Sequence, residues 1–431
     1  MDYKDTIQFL YGLYRHGIRL GLQSISVALE VLHNPHLRYP SLHIGGTNGK
    51  GSTSAIAAAI LQASGYRVGL YTSPHLVDFR ERIRVDGQRI SEMQVVNLAR
   101  QVQATSPVPL TFFEFTTAMA FQYFSDREID IAVVEVGMGG RFDATNVLSP
   151  RAVAITSIAH DHESYLGQHI SEIAFEKAGI IKPNTPVIVG ELPPDAEVVI
   201  QRIAAERQAP YFALGREFRI DGAEPGFFRY DGVRQRFPHL SCSLLGTHQR
   251  KNVGCALALL EQLTLQGFEL REATVRSTLP EVVWEGRLEV LEDQPRLLID
   301  GAHNVAAAQA LVEALAPMVE MQGGRLITVL GMMRDKHHAQ FMNTIAPYVS
   351  CLILTTMSVS RAATVDELKE SVPHGLFEVL TSFNPTEALQ LARQIAKPTD
   401  VICVTGSLFL VGEVRHLLVR TTESTSIRAC E

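Results

Sequence analysis

The stretch that decides how this chain is read is HIGGTNGKGSTSA, His43 to Ala55. It has the glycines, the lysine and the hydroxyls of a phosphate-binding loop. The usual order is Gly-x-x-x-x-Gly-Lys-[Ser/Thr], with the hydroxyl directly after the lysine. Here Gly51 follows Lys50 and Ser52 comes one place late. The apolar run LHIGG precedes the loop, and STSAIAAAILQASG follows it as a helix pattern that Gly65 stops as a C-cap. A glycine-rich turn with a surface lysine would have the same composition, but not this coincidence of strand, loop and helix. In that context loop N–H groups and the positive end of the helix face a phosphate, and Lys50 supplies a mobile point charge. The shift of Ser52 leaves open whether its hydroxyl touches a phosphate or holds magnesium.

Working outward, RVGLYT reads as a second strand, which completes a βαβ unit. IDIAVVEVG and RAVAITSIAHD are continuously apolar, as strands covered on both faces are. After Arg287 the rhythm restarts: RLLIDGAHN leads into VAAAQALVEALA, RLITVLG into RDKHHAQFMNTIA, and CLILTTM and DVICVTG close the series. The expected fold class is therefore α/β. An N-terminal P-loop domain with a parallel central sheet (residues 1–285) precedes a smaller, Rossmann-like α/β domain (residues 286–431). DGAEPGFFRYDGVRQRFPHL looks like a β-hairpin excursion within the first domain, and the polar tail TTESTSIRACE is expected to fray.

The length of 431 residues sets a prior of two or three domains. With 46% hydrophobic and 20% charged residues the composition is globular. A net charge of −7 argues against a general binder of nucleic acid or anionic membrane. Five cysteines (Cys242, Cys255, Cys351, Cys403 and Cys430) with no Cys-x-x-Cys pair predict neither a disulfide framework nor a zinc site. Thiols fit a reducing cytoplasm. MDYKDTIQFLYGL has acids and no continuous apolar run, unlike a signal peptide, and no stretch has the 18 or so apolar residues of a membrane span. A soluble, cytoplasmic monomer is expected.

Further motifs fall at strand ends. Glu135 lies near the C-terminal end of a buried strand, the edge at which open parallel sheets bind ligands, where a carboxylate can hold magnesium or be a paired structural group. SIAHDHESYLG brings Asp161 and His162 to the same edge. Lys177 sits in the last turn of a helix over SEIAFEKAGIIKP, where the dipole alone favours a cation. FRERIRVDGQR places Arg80, Arg82 and Arg84 on one strand face, as an anion-steering face or, the favoured reading, a solvated edge strand. In the second domain Asp300 and His303 follow a strand, Asn304 fits a helix N-cap, and Gly406 and Ser407 open another helix.

In their order along nearly the whole chain, YGLYRHGIRLGL, GGTNGKGST, YTSPHLVDFRERI, FFEFTTAMAF, EVGMGGRFDATN, HDHESYLG, FEKAGIIK, GTHQRKN, IDGAHN and TGSLFLVGEV resemble folylpolyglutamate synthase/dihydrofolate synthase of the Mur ligase superfamily. The variant loop is the form that family uses. The resemblance implies that Gly49, Lys50, Gly51, Ser52 and Thr53 hold the ATP phosphates, and that Asn252, Arg287 and Asp300 contact ATP. It implies magnesium positions at Ser73, Glu135 and His162, with two ions. It implies that Lys177 is N-carboxylated, which turns a cation into a metal-binding carboxylate. Phe113, Glu114, Phe115 and Thr116, with Phe142, Asp143 and Ala144, match pterin-substrate positions, and His303 and Ser407 match positions near the incoming glutamate.

The implied reaction is ATP-dependent amide ligation. ATP phosphorylates a carboxylate of dihydropteroate or of a reduced folate, and the amine of L-glutamate attacks the acyl phosphate. Domain closure would keep water away. Two other readings are a Mur-type ligase acting on a cell-wall nucleotide, which should lack TSPHL and FFEFTT, and a nucleotide-sensing protein that does not ligate. Asp300, His303 and Ser407 argue against the latter. Two departures from the family pattern stand out. Glu285 replaces the proline before Gly286 and Arg287, so a residue that fixes φ is lost. His337 replaces an acid after Asp335 and Lys336.

Overall fold

The computed structural model describes residues 2–17, 19, 21–224, 226–373 and 377–428. These form two compact units. The first is Met1–Ser243 with Gln249–Val283, and the second is Leu244–His248 with Trp284–Glu431. The division falls just before Trp284 rather than after Glu285, and a five-residue segment from the middle of the chain joins the later unit.

The first unit is built on eight strands. They are β1 (Ser41–Gly45), β2 (Val68–Tyr71), β3 (Ile83–Val85), β4 (Gln88–Arg89), β5 (Ile131–Glu135), β6 (Ala152–Ile155), β7 (Val187–Val189) and β8 (Tyr211–Ala213). Their order is β4-β3-β2-β5-β1-β6-β7-β8. From β2 to β8 every pairing is parallel, and β3 and β4 add an antiparallel edge. The continuous apolar character has its expected cause: every residue of β1, β5 and β6 is buried. Ala132 and Val134 pack into a cluster with Phe121 and Phe124 of helix Phe112–Asp126. Val153 and Ile155 pack into another with Ile173 and Ile200 of helices Ile170–Ala178 and Pro194–Glu206. Burying one phenylalanine completely is worth roughly 1.5–3 kcal/mol, and both Phe121 and Phe124 are fully buried.

The excursion forms a small antiparallel sheet of β9 (Arg219–Glu224), β10 (Phe227–Asp231) and β11 (Arg236–Leu240). Pro225, within it, lies outside the described residues. The buried Glu261 carboxylate fastens this sheet by accepting from the N–H groups of Val233 (3.0 Å) and Gln235 (2.9 Å).

The second unit carries β12 (Glu289–Asp293), β13 (Arg296–Ile299), β14 (Leu326–Leu330), β15 (Cys351–Leu354), β16 (Glu378–Thr381) and β17 (Val401–Thr405). The order is β12-β13-β17-β14-β15-β16, parallel except for β12. The residue that replaces proline is held by charge: Arg415 lies 4.0 Å from the Glu285 carboxylate. Its Nε donates to both oxygens of Glu289 at 3.0 and 3.1 Å. Glu289 in turn accepts the Gly286 N–H at 2.7 Å.

Two expectations are corrected. Residues Phe79–Arg82 form a 3-10 turn, and only Ile83–Val85 continues as strand. Local side chains outcompete the ladder there. Asp78 accepts the Arg80 N–H at 2.8 Å, and Glu81 accepts those of Leu76 and Asp78 at 2.8 and 2.9 Å. The alternating arginine face does not form. Arg80 pairs with Asp78, and Arg82 is buried. The polar tail is helical as far as Arg428, in helix Leu408–Arg428. Ala429, Cys430 and Glu431 lie outside the described residues. No disulfide joins the cysteines, and no helix is long and apolar enough to cross a membrane, among the described residues.

Candidate active site

The strand order sets the C-terminal ends of β2, β5, β1 and β6 side by side, so the segments that leave them share one edge. The loop after β1 is laced to the segment after β6. Thr47 N–H donates to the Ser157 carbonyl (2.8 Å), and Thr47 Oγ1 accepts the Ala159 N–H (3.0 Å). The Asn48 carbonyl accepts from Thr156 Oγ1 (2.6 Å) and Ser157 Oγ (3.0 Å). Gly46 is required here. Its φ is +141°, and a Cβ would collide with Thr156 Oγ1. Gly49, at φ +85°, precedes helix Lys50–Ala63. The Asn252 amide lies directly over Gly49, so the ATP-contact residue implied on helix Thr247–Thr264 does reach the loop. Lys50 Nζ folds back onto the Thr47 carbonyl at 3.0 Å. Within the first turns, Thr53 Oγ1 and Ser54 Oγ are buried with no hydrogen-bond partner. Orphan hydroxyls beside a helix N-terminus fit a phosphate group and its metal-bound water.

The candidate metal and lysine residues gather around this loop. Glu135 ends β5, and one of its oxygens accepts the Ser73 N–H at 3.1 Å, so two of the three implied magnesium positions touch. Asp161 accepts the His162 N–H at 3.0 Å and lies 3.9 Å from His162 Nε2. His162 has φ +52°. Among the described residues no three His, Cys, Asp or Glu groups stand together as a metal cage. Magnesium needs none when it is held through one or two carboxylates, waters and nucleotide phosphates. Lys177 is buried, and its Nζ donates to the Gly46 carbonyl at 2.9 Å. Burial, then the nearby Lys50 charge, lowers its pKa to about 7, against the opposing pull of Asp161 and Asp143. A lysine placed only to answer a helix dipole would be solvated and cationic, so this one is not a surface cap.

The residues matched to pterin positions divide. The Phe113 ring is half-buried, stacks on Tyr71 with centroids 6.0 Å apart, and lies against Gly137. Thr116 Oγ1 meets the Tyr71 hydroxyl at 3.1 Å. Glu114 is turned into a capping box, accepting the Thr111 N–H at 2.8 Å, and Phe115 packs edge-on to Phe9 in the core. Their side chains are committed to the helix and the core, so a substrate would meet Phe113 and the backbone of this turn. Arg141 lies 4.4 Å above the Phe142 ring, and Ala144 is buried. Asp143 organises its own loop. One oxygen accepts from the Thr145 N–H (3.0 Å) and hydroxyl, the other from the Met138 N–H (2.9 Å). Burial raises its pKa despite these donors.

The second unit assembles its own group. Asp300 follows β13 and accepts the N–H groups of Leu288 (2.9 Å) and Ala302 (2.8 Å). The Arg287 guanidinium lies over Gly301. His303 Nδ1 donates to the Gly301 carbonyl at 2.8 Å, which makes Nε2 the basic atom of the ring. Asn304 caps helix Val305–Gln322 by accepting the Ala307 N–H at 2.9 Å. Ser407 Oγ accepts the Phe409 N–H at 3.1 Å. The Gly406 N–H bonds the Ala302 carbonyl at 2.9 Å, so the IDGAHN and TGSLF turns adjoin.

Residues 44–260 match the Mur ligase middle domain, and residues 286–408 match the Mur ligase glutamate ligase domain. The dihydrofolate synthase/folylpolyglutamate synthase of Bacillus subtilis is 31% identical over 96% of this chain and 99% of its own. The chain belongs to the folylpolyglutamate synthase/dihydrofolate synthase family. Escherichia coli FolC in complex with DHPP and ADP superposes with a TM-score of 0.90 at 30% identity, over 98% of this chain and 99% of that one. A bifunctional family member with Mn, AMPPNP and L-glutamate bound gives a TM-score of 0.88 at 31% identity, over 97% and 98% of the two chains. The residues that motif reading passed over are the loop's supports, Thr156 and Ser157, whereas Arg82, beside His75, is buried where the motif predicts a solvated face. The hydroxyls of ITSIAHD, set just after a strand, were the available signal for the first pair.

Proposed function

We propose that this family member uses ATP to join L-glutamate to dihydropteroate, making dihydrofolate, and to the glutamate chains of reduced folates. The observation that carries this reading is the buried Lys177 amine seated on the Gly46 carbonyl of the phosphate loop. A phosphate loop alone would serve many activities. A near-neutral buried amine beside it has the chemistry to take up carbon dioxide as a carbamate.

Residues 1–285 are assigned to ATP and pterin, and residues 286–431 to glutamate. Loop N–H groups and Lys50 hold the phosphates, and Phe113 offers a ring face to the acceptor. Magnesium held near Ser73, Glu135 and His162, as two ions with carboxylated Lys177, supplies charge neutralisation. An oxygen of the acceptor carboxylate attacks the γ-phosphorus, and the bond to ADP breaks. The glutamate nitrogen then attacks the acyl carbon, and phosphate leaves. His303, whose Nδ1 is spent on the Gly301 carbonyl, would take at Nε2 the proton the amine sheds. No covalent enzyme nucleophile is required; the work is positioning and charge. A monomer in the cytoplasm fits thiols that form no disulfide among the described residues.

Phosphate release tests the reading. It should require ATP, pterin acceptor and L-glutamate together. Release without glutamate would indicate a nucleotide hydrolase instead.

Asp143→Ala should lower kcat/KM on dihydropteroate by about tenfold or more, with a smaller loss for extension of tetrahydrofolate, whose longer chain has further contacts. Kinetics with both acceptors check this. Equal losses would reduce Asp143 to a support of its loop.

A further inference from the structure

Arg82 is 4% exposed, although the alternating pattern around it placed it on a solvated strand. Its Nε donates to His75 Nδ1 at 2.7 Å, and its guanidinium carbon stands 5.2 Å from the centroid of the Phe112 ring. Among the described residues no carboxylate pairs with it, and its terminal nitrogens have no hydrogen-bond partner. Its neighbours Arg80, Arg84 and Arg89 do not share this position: Arg80 is spent on Asp78, and Arg84 and Arg89 are not buried.

A buried cation without a counter-ion is costly. Here the local arrangement sustains the cost. His75 accepts from Nε and so is held neutral, in the tautomer that presents Nε2–H to the Tyr11 hydroxyl, 3.2 Å away. The imidazole is therefore a neutral prop that orients the guanidinium and leaves the Nη1–Nη2 fork without a partner among the described residues. That fork matches the two oxygens of one carboxylate.

The location supplies the rest. The Arg82 carbonyl accepts the Thr72 N–H at 3.0 Å, one residue before Ser73, whose N–H meets Glu135. The ring beneath the guanidinium, Phe112, adjoins Phe113 in sequence and stacks on Tyr14 at 4.2 Å. The charge thus stands between these aromatic residues and the segment that carries Ser73.

We infer that Arg82 is a specificity-determining residue that binds the carboxylate of the pterin-linked acceptor, with His75 as its positioning residue. This rests on the proposed ligase reading. An acceptor that presents a neutral group at that point leaves the buried charge unanswered and is rejected.

The test compares dihydropteroate with its primary carboxamide, which differs only in charge at that end. Binding of each to the full chain is measured by calorimetry with AMPPNP and magnesium present. Wild type should prefer the carboxylate by at least about tenfold, the range of a hydrogen bond to a charged group. Arg82→Gln should bind the two within about threefold of each other, and Arg82→Lys, which keeps charge without the fork, should fall between. Both variants should keep wild-type affinity for AMPPNP. A merely structural Arg82 would weaken both acceptors alike and preserve their ratio, which overturns the inference; so does a wild type without preference. If Arg82→Gln does not fold, Arg82→Lys decides by the same ratio. Ligation of glutamate by wild type is followed separately: its absence defeats the ligase reading, whereas ligation without carboxylate preference defeats the role of Arg82 alone.

Discussion

Lys177→Ala should retain its fold and lose on the order of a hundred- to a thousandfold in ligase turnover, the scale of removing one preorganised charge-stabilising group. Removing a buried amine relieves a desolvation cost, so stability should not suffer from the lost charge. What disappears is the group that stands on the Gly46 carbonyl at the root of the phosphate loop. A short carboxylic acid small enough to occupy the vacated space should restore part of the rate, because a carboxylate is what the carbamate would have provided. The native enzyme has its own signature. A pKa near 7 means that the uncharged amine, the only form that adds carbon dioxide, predominates above neutrality. The sign is therefore fixed: turnover should fall as pH drops through about 7, and added bicarbonate should oppose the fall. A carbon-13 resonance of a carbamate on the labelled enzyme checks the adduct directly. An active enzyme with an unmodified ammonium at Lys177 would remove the basis of this prediction.

Lys50→Ala should cost a comparable hundred- to thousandfold in turnover, with a fold indistinguishable from wild type by circular dichroism. The lysine is the first residue of its helix, and its Nζ meets the Thr47 carbonyl. Little packing is lost with it. A nucleotide analogue should still bind, because the loop N–H groups remain. Near-normal turnover in this variant would sink the assignment of the loop to transferring phosphate.

The phosphate loop is legible in the sequence because its signals are local. A buried strand, positive-φ glycines and a helix follow one another without interruption, and Gly65 and Asn304 mark helix ends by the same short-range chemistry. The sheet is legible because strands buried on both faces carry few polar residues. Lys177 is not legible from charge alone. Its partner is 131 residues away in sequence, and nothing in FEKAG records that the helix turns this residue inward. Only likeness to the family assigns it a role. Arg82 misleads for a different reason. Strict alternation is a valid strand signal, but Asp78 and Glu81 offer their carboxylates to the nearest N–H groups and curl the chain before the strand begins.

The assignment of Leu244–His248 to the second unit limits how that unit can be cut and grafted. Leu245 packs against the core formed by Leu311, Leu315 and Leu330, and Gly246 lies against Ala314. A fragment beginning at Trp284 leaves this piece of its own cover behind on the preceding peptide. The exposed floor of Leu311 and Leu315 would then be a sticky patch. A C-terminal unit of this kind is not an exchangeable cassette: a transplant has to carry a short interior peptide along with the contiguous C-terminal stretch.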